Sequence, residues 1–452
     1  MNKKRIVNIV LDIGKTNTKI FLFNTNSKII KTYFKNFQSK KINKHVSILD
    51  TENIWIWLNK KINLILKKYG IGKLIPICHG SAIAFISNKD ELLHGIIDYE
   101  SNLGNLNSSY KKILPPFYET YTPLLDGGLN LGKQIFFLYK KKKEIINNTK
   151  YILNYPQYWN WKLCGKYSSE ISYIGCHSHL WNFKKNTYSS LLKKMKIEKK
   201  FPKFNKAGKD LKNSFFSPKT RILNGMHDTN ASYILYKKLF FNKFTLISTG
   251  TWFVIINNSA KKNSLKPNKD MLANIDIYGK ILPTIRLMGG REFEILCKKF
   301  KVSRNFNLTL NKSSFSNVYS NLILPSFAMA GPFSEKKGII KNFSKLSKKN
   351  KYLHICLYIS FMINYCLDLI FSKNNITIDG ALIKNKVILQ ILSTLRKKQN
   401  IYINSEKYGP AIGASQFFNS NKKKTFTLNK IKKFYISNID LYYKKWLDRV
   451  KN

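Results

Sequence analysis

Acidic residues and arginine are both scarce in this sequence. Asp and Glu together number 24 in 452 residues against 79 Lys and Arg, which gives a formal net charge of +55. Arginine occurs at only seven positions, and the lysines are spread along the whole chain beside abundant Asn and Ile. Charge alone suggests a basic nucleic-acid-binding protein, which stays an alternative. However, the sequence has no zinc-finger spacing or RRM-like aromatic motif, so lysine at solvated positions under AT-rich codon bias is favoured.

Cysteine is also sparse and unpaired in the sequence. The six cysteines include no C-x-x-C pair and mostly lie in apolar runs, which is typical of reduced core thiols in a cytoplasmic protein. Residues 176–179 (CHSH) form a tight cluster without a second ligand pair, so a structural role in a loop is favoured over a metal site. The N-terminal apolar run is interrupted by Asp12 and is too short for a signal peptide.

Long uninterrupted apolar runs are missing as well. Residues 353–371 reach the length of a membrane span, but His354, Asn364 and Asp368 interrupt them. We therefore predict a buried central helix and no membrane partner. The hydrophobic fraction of 44% excludes disorder, and the length predicts two domains, which we divide at 1–240 and 241–452.

The richest local pattern is at the start of the chain, in residues 6–24. Two apolar runs that read as strands flank a short polar turn, residues 12–17 (DIGKTN). Such a turn aims backbone N–H groups, the Thr16 hydroxyl and the Lys15 ammonium at one point, which suits phosphate. Asp12 adds a carboxylate, which suits a magnesium ion bound to that phosphate. The alternative is an ordinary hairpin with a solvated tip.

A second glycine-rich segment, residues 127–133 (GGLNLGK), only approaches a P-loop. Gln134 stands where a Ser or Thr should hold magnesium, and no clear strand precedes the segment. A true P-loop is therefore not expected there.

The opening pattern recurs later in the chain. Residues 244–257 (FTLISTGTWFVIIN) again read as strand, polar turn and strand, so we predict a duplicated fold. Just before them, residues 221–236 break from a strand into a helix and leave His227 and Asp228 at the junction. Residues 374–392 read as strand, glycine turn and helix, a place for a base or ribose. We also predict a helix over 51–69 capped by Thr51, and a peripheral basic tail after 419.

In order along the chain, these segments resemble those of FGGY-family carbohydrate kinases, within the actin, sugar kinase and Hsp70-like superfamily. DIGKTNTK resembles the first phosphate loop of that family, GMHD its catalytic segment and STGTW its second phosphate loop. IDGALIKN resembles the adenosine segment and GPAIGAS the closing helix. The finer details look most like the branch near rhamnulokinases and fuculokinases. One departure is Lys15, where the family commonly has threonine.

The resemblance implies an α/β fold of two ribonuclease H-like (actin-like ATPase) domains with a catalytic cleft between them. It implies ATP-dependent, magnesium-assisted phosphorylation of a small ketose or polyol, with a deoxyhexulose such as rhamnulose or fuculose favoured over a pentulose such as xylulose or ribulose. It implies the following roles: Asp228 as general base, Asp12 on the magnesium side, Gly14, Lys15, Thr16, Asn17, Thr249, Gly250 and Thr251 on the phosphates, Gly380, Ala381 and Asn385 on the adenosine, and His79, Gly80, Asp98 and His227 on the sugar.

Three alternatives stay open at this stage. Asp228 could simply cap the helix that follows it, as Asp often does. The protein could be a degenerate, inactive kinase, although Asp12, Asp228 and both threonine-containing turns are intact. It could also be a different kinase or ATPase of the superfamily, although GMHD argues against an actin or a chaperone. A homodimer is compatible with the resemblance, and no specific nucleic-acid partner is expected.

Overall fold

The computed structural model describes residues 4–104, 106–240, 243–310, 321–404, 408–418 and 428–451. The chain forms two compact units. The first comprises Met1–Leu235, Ala273–Ile281 and Tyr408–Thr425, and the second comprises Tyr236–Leu272, Leu282–Lys407 and Phe426–Asn452. The first change of unit thus falls near the expected boundary at 240, and two later segments belong with the first unit. The division into family domains at 240 stays a prediction.

The strands are, in chain order, β1 (Ile6–Ile13), β2 (Asn17–Phe23), β3 (Ile29–Asn36), β4 (Lys40–Lys41), β5 (Ser47–Ile48), β6 (Gly70–Cys78), β7 (Ile83–Ser87), β8 (Thr149–Asn154), β9 (Trp181–Asn182), β10 (Thr187–Tyr188), β11 (Asp210–Ser214), β12 (Ser217–Leu223), β13 (Met226–His227), β14 (Phe244–Thr249), β15 (Phe253–Asn257), β16 (Met271–Ile275), β17 (Ile281–Leu287), β18 (Leu322–Leu324), β19 (Ile339–Lys341), β20 (Asn375–Gly380), β21 (Ile401–Asn404) and β22 (Leu428–Lys430).

The α-helices are α1 (Thr51–Lys68), α2 (Asn107–Lys111), α3 (Phe117–Thr120), α4 (Leu131–Lys141), α5 (Lys143–Asn148), α6 (Tyr155–Cys164), α7 (Ile171–Ile174), α8 (Ser190–Lys194), α9 (Asp228–Phe240), α10 (Gly289–Lys299), α11 (Lys348–Leu369), α12 (Lys386–Leu395), α13 (Gly409–Ser415) and α14 (Ile439–Lys451).

The main sheet of the first unit has the order β11, β12, β6, β1, β2, β3, with β13 also paired to β6. The hairpin β1–β2–β3 is antiparallel, whereas β6 runs parallel to β1. The parallel pair needs a crossover, and α1 lies in the connection between β3 and β6. Because β1 and β6 are covered on both faces, their sequences are almost uniformly apolar.

The second unit repeats this topology. Its sheet contains β17, β15, β14, β20, β21 and β22 in that order. Strands β14, β15 and β17 form the antiparallel set, and β20 runs parallel to β14, as β6 does to β1. The duplicated fold inferred from the two strand–turn–strand patterns is therefore confirmed.

A buried apolar cluster joins the first unit's sheet to its helices. It includes Val10 and Phe21 from the hairpin, Ile75 from β6, Ala231 from α9 and Ala411 from α13. The small residues let α13 lie close to α9. This packing holds α9, which begins with Asp228, against the sheet.

Helix α11 is the buried central helix expected at residues 353–371. By length and composition alone it could cross a membrane, but 83% of its most apolar stretch is buried inside the protein. Its apolar residues therefore belong to the core of the second unit. All six cysteines are also buried, and none forms a disulfide.

Two local expectations need correction. Asp50, not Thr51, caps α1, because the Asp50 carboxylate accepts from the Asn53 backbone N–H while Thr51 is already helical. The chain beyond 427 is not peripheral either, since α14 buries Trp446, whose indole N–H donates to the Ile323 carbonyl at 2.8 Å. The burial of the large Trp446 side chain thus determines where this segment packs, despite the lysines around it.

Candidate active site

Three parallel strands of the first unit end at the same edge of the sheet. Asp12 of β1 lies opposite Ile77 of β6, and Met226 of β13 lies opposite the same residue. The carboxyl ends of β1, β6 and β13 therefore carry Asp12, His79 and Asp228 to one place. Strand β6 lies between β1, which carries Asp12, and β13, which Asp228 follows. Because neighbouring strands are about 4.8 Å apart, β1 and β13 are about 10 Å apart.

Asp228 is the first residue of α9 and is only partly exposed. Its Oδ1 accepts from the Thr229 backbone N–H at 2.5 Å and from the Thr229 hydroxyl at 3.2 Å. Imidazole Nε2 of His227 lies 3.4 Å from the same oxygen. An N-cap would accept from an N–H two or three residues further on, so this contact is not a cap. None of the described residues donates to Oδ2.

Asp12 sits in an environment that resists ionisation. Burial raises the pKa of Asp12 to about 6, the Lys19 ammonium at 3.8 Å lowers it, and the negative charge of Asp228 raises it again. The folded protein thus holds a carboxylate that a nearby cation would stabilise. Within the described ranges, no group of three His, Cys, Asp or Glu side chains could hold a metal ion. A magnesium ion would therefore fit only by sharing Asp12 with phosphate oxygens and water.

Two buried histidines flank these carboxylates. Burial lowers the pKa of both His79 and His227, which favours their neutral imidazole forms. His79 Nδ1 lies 2.7 Å from the Gly80 carbonyl oxygen, and because a carbonyl can only accept, Nδ1 carries the proton. Nε2 of His79 is then an acceptor, and it is buried without a partner in the described chain. A Cβ on Gly80 would approach His227 Nε2 to 2.9 Å.

The Tyr173 hydroxyl supports His79 from α7. It lies 3.0 Å from the His79 carbonyl oxygen, and its ring packs edge-on against His227. Glu170 caps this short helix by accepting from the Ser172 and Tyr173 backbone N–H groups. Burial raises the pKa of Glu170 to about 7. No motif in the sequence marks Glu170 or Tyr173 as support for the site, so both were missed.

Lys15 does not project freely from its turn. Its ammonium contacts the Glu100 carboxylate and lies 3.4 Å from Asp98 Oδ1. The Asp98 carboxylate also accepts from the Ser39 hydroxyl at 2.5 Å and from the Glu100 backbone N–H at 2.9 Å. Asp98, expected to bind sugar, is thus mostly engaged within the protein. Lys15, expected to bind phosphate, reaches the segment that carries Asp98.

The remaining residues of the first turn form a tight, solvent-facing loop. The Gly14 N–H donates to the Asn17 carbonyl at 3.0 Å, and the Thr16 carbonyl accepts from the Phe37 N–H at 2.8 Å. Thr16 and Asn17 are exposed. Their side chains are therefore accessible to a ligand, as expected of a phosphate-binding turn.

The turn of the second unit borders a cavity of about 730 Å³. Gly250 and Thr251 line this cavity. Thr249 is used differently, because its hydroxyl donates to the Asp379 carbonyl at 2.5 Å and accepts from the Leu382 N–H at 3.0 Å. The Thr249 side chain thus ties the turn after β14 to the turn after β20, and Thr251 presents the hydroxyl that a ligand could reach.

The three residues expected near adenosine have distinct positions. Ala381 and Asn385 line the cavity. The Asn385 side chain also caps α12 by accepting from the Ile388 N–H at 3.0 Å. Gly380 packs directly against the turn after β14. Its φ is 88°, and a Cβ there would lie 2.0 Å from the Thr249 carbonyl oxygen. Only glycine fits that position.

Several cavity residues were not identified from the sequence. Gly290 at the start of α10 allows that helix to approach the turn after β14, because a Cβ on Gly290 would lie only 2.0 Å from the Gly250 carbonyl oxygen. Arg291, Phe306 and Tyr352 line the cavity with it. The paired glycines before a helix in residues 288–296 (MGGREFEIL) were the available signal.

Two other sequence candidates have structural roles. Both ring nitrogens of His179 are engaged within the protein, with the Tyr110 hydroxyl 3.0 Å from Nδ1 and the Thr122 carbonyl 3.1 Å from Nε2. Residues 127–133 lead into α4, and no strand lies between β7 and α4 among the described residues. This segment therefore lacks the strand that a P-loop needs.

Comparison with known protein families agrees with this geometry. Residues 7–214 match the family described as FGGY family of carbohydrate kinases, N-terminal domain, and residues 241–425 match carbohydrate kinase FGGY, C-terminal domain. The chain belongs to the FGGY family of carbohydrate kinases. It is accordingly a phosphotransferase that acts on sugars and uses ATP, with the two-domain α/β fold of the actin-like ATPase type.

Solved structures resemble this kinase over nearly its whole length. A carbohydrate kinase from Novosphingobium aromaticivorans is 24% identical, with a TM-score of 0.88 and 99% of each chain covered. A ligand-bound xylulose kinase from Lactobacillus acidophilus is 16% identical, with a TM-score of 0.79 and coverage of 99% and 97%. A glycerol kinase from Plasmodium falciparum with ADP is 13% identical, with a TM-score of 0.79 and coverage of 100% and 99%. No curated protein sequence matches the kinase.

Proposed function

We propose that this kinase transfers the γ-phosphate of ATP to a hydroxyl of a small, neutral ketose or polyol, with a deoxyhexulose such as rhamnulose or fuculose as the first candidate. The observation that carries the proposal is the convergence of Asp12, His79 and Asp228 at one sheet edge. A pentulose such as xylulose or ribulose is the second candidate, because structures similar to the kinase include proteins described as xylulose kinases.

Asp228 is the proposed general base. Phosphoryl transfer mainly requires positioning and charge neutralisation, together with a carboxylate that takes the proton of the attacking hydroxyl. The Asp228 Oδ2 atom has no donor among the described residues, and the carboxylate belongs to the first residue of α9. Oδ2 is thus available to take the proton of a substrate hydroxyl.

Asp12 and the two turns are proposed to serve the nucleotide. Asp12 would share a magnesium ion with the phosphates, and the ion would neutralise phosphate charge during transfer. Gly14 to Asn17 and Thr249 to Thr251 would grip the phosphates, with Thr249 acting through its backbone. The cavity beside Ala381 and Asn385 would take the adenosine. The proposed nucleotide contacts thus come from both units of the chain.

The sugar-side residues favour a substrate rich in hydroxyl groups. His79 Nε2 is a buried acceptor without a partner, and an unpaired buried acceptor costs about 1–3 kcal/mol. A substrate hydroxyl would supply the missing donor. The nearby Asp228 carboxylate also accepts and would repel a sugar acid, whereas the Asp98 carboxylate is already paired with Lys15. A neutral ketose or polyol therefore fits better than an aldonate. His227 and Gly80 are proposed to contact the sugar as well.

A coupled ADP-release screen tests the proposal. Pentuloses, deoxyhexuloses, polyols and gluconate are each offered with ATP and magnesium, with omission of magnesium as one arm. We expect sugar-dependent ADP release with a neutral ketose or polyol and none with gluconate. Release with gluconate alone would reject the proposed substrate class. Cytoplasmic location and a homodimer stay predictions.

Asp12→Asn is expected to stabilise the protein while impairing turnover. The pKa of Asp12 in the folded state, about 6, exceeds the ordinary value of 3.8, so ionising Asp12 costs folding free energy as pH rises through that window. Asparagine removes this cost, which amounts to about 1–3 kcal/mol above pH 7 and vanishes near pH 4. Denaturant titration at both pH values, with the exposed Asp448→Asn as a control for net charge, checks this. Equal destabilisation at both pH values would contradict it.

Nucleic-acid binding is expected to be weak and non-specific. The charge of +55 comes from dispersed lysines, so binding should rest on counterion release and fall steeply as salt rises. Fluorescence anisotropy with labelled single- and double-stranded DNA at increasing salt measures this. A sequence-selective complex that survives physiological salt would contradict the expectation.

A further inference from the structure

Lys15 occupies an unusual electrostatic position between the phosphate turn and the sugar-side segment. It belongs to the turn joining β1 and β2, yet its ammonium is in contact with two carboxylates of the segment 98–100. The ammonium also lies over the Tyr99 ring, with Nζ 4.9 Å from the ring centre. The Lys15 ammonium, which belongs to the proposed phosphate subsite, thus contacts carboxylates of the proposed sugar-side segment.

The two carboxylates differ in how firmly they hold Lys15. The Asp98 side chain is only 5% exposed, and hydrogen bonds from Ser39 and from the Glu100 N–H fix its geometry. The Glu100 side chain is 69% exposed. Buried, hydrogen-bonded ion pairs are costly to break, whereas exposed ones contribute little and exchange readily. Asp98 is therefore a fixed neighbour of the Lys15 ammonium, although it lies farther from Nζ than the Glu100 carboxylate does, and Glu100 is the exchangeable partner.

We propose that Glu100 is a placeholder anion, which occupies the side of the Lys15 ammonium that a phosphate oxygen takes when nucleotide binds. An ammonium has three N–H donors, so it can keep Asp98 while it exchanges Glu100 for phosphate. Lys15 then links the phosphate turn to the sugar-side segment as a positioning residue. The inference rests on the proposed phosphate role of the turn and adds the competition by Glu100.

Removal of the placeholder charge should strengthen nucleotide binding. Glu100→Gln is expected to tighten the binding of a non-hydrolysable ATP analogue by about three- to tenfold, because phosphate no longer displaces an anion. The gain should shrink at high salt. Adenosine affinity should be unchanged, because adenosine carries no phosphate. Glu144→Gln, an exposed glutamate on α5, makes the same charge change away from the site and should have no such effect.

A double-mutant cycle with Lys15→Met completes the test by isothermal titration calorimetry. In the Lys15→Met background, Glu100→Gln should give no gain. Equal effects of Glu100→Gln and Glu144→Gln, or a gain that persists without Lys15, would overturn the inference. Should Lys15→Met not fold, the comparison of the two glutamate variants with ATP analogue and adenosine decides alone. Sugar-dependent turnover of the unchanged protein reports separately on the proposed function.

Discussion

Asp228→Asn is expected to lower turnover by about 10²- to 10⁴-fold while the protein stays folded and still binds ATP. The amide cannot take the proton of the attacking hydroxyl, although it has nearly the shape of the carboxylate. The Asp228 side chain is 30% exposed, and among the described residues its hydrogen-bond donors are the backbone N–H and the hydroxyl of Thr229, which both reach Oδ1. The substitution therefore removes the base and changes little else.

The same substitution separates catalysis from a purely structural role. Asparagine keeps the shape of aspartate and an oxygen that can accept from Thr229, so a residue that only made these bonds at the start of α9 would lose little activity or stability. Initial rates at saturating substrates and thermal unfolding are measured for Asp228→Asn and for Asp448→Asn, which makes the same change of charge on α14. Near-normal turnover in a folded Asp228→Asn protein would remove Asp228 from the mechanism.

Gly380→Ala is expected to weaken ATP binding by about 10²-fold. Its φ of 88° and ψ of −150° lie in a region that residues with a Cβ avoid, at a cost of about 1–3 kcal/mol. In addition, the new methyl group would lie 2.0 Å from the Thr249 carbonyl oxygen. The turn after β14 must then move away from the turn after β20, and both carry proposed nucleotide contacts.

Gly279→Ala provides the matched control for Gly380→Ala. Gly279 has a similar φ of 86°, but a Cβ there would meet nothing within 4 Å. It should lose about 1 kcal/mol of stability and keep its ATP affinity. Calorimetric titration with an ATP analogue compares the two variants. Equal ATP affinities would show that the contact between the two turns does not shape the nucleotide site.

Regular patterns in the sequence predicted the parts of the fold that depend on local structure. The repeated strand–turn–strand segments around Gly14 and Gly250 predicted the duplicated topology, because apolar runs of strand length joined by a short polar turn have few other solutions. The apolar run at 353–371 is too long for a strand and therefore predicted the buried helix α11. The family resemblance named Asp12 and Asp228 as site residues, whereas their convergence at one edge of the sheet was found only in the structure.

Long-range contacts were beyond such patterns. Nothing local shows that Lys15 meets Asp98 and Glu100, which are more than 80 residues away, or that the Thr249 hydroxyl bonds to residues of the turn after β20. The burial of Trp446 in α14 was likewise hidden by neighbouring lysines. Each of these depends on tertiary packing, which overrides the local composition.

The most direct test of the central claim is ³¹P NMR of a reaction with ATP, magnesium and the best sugar from the screen. The account predicts that the γ-phosphate signal disappears while a sugar monophosphate appears in equal amount with ADP, and that Asp228→Asn abolishes both changes over the same period. Release of inorganic phosphate with no sugar phosphate, or sugar phosphate formed equally well by Asp228→Asn, would contradict it.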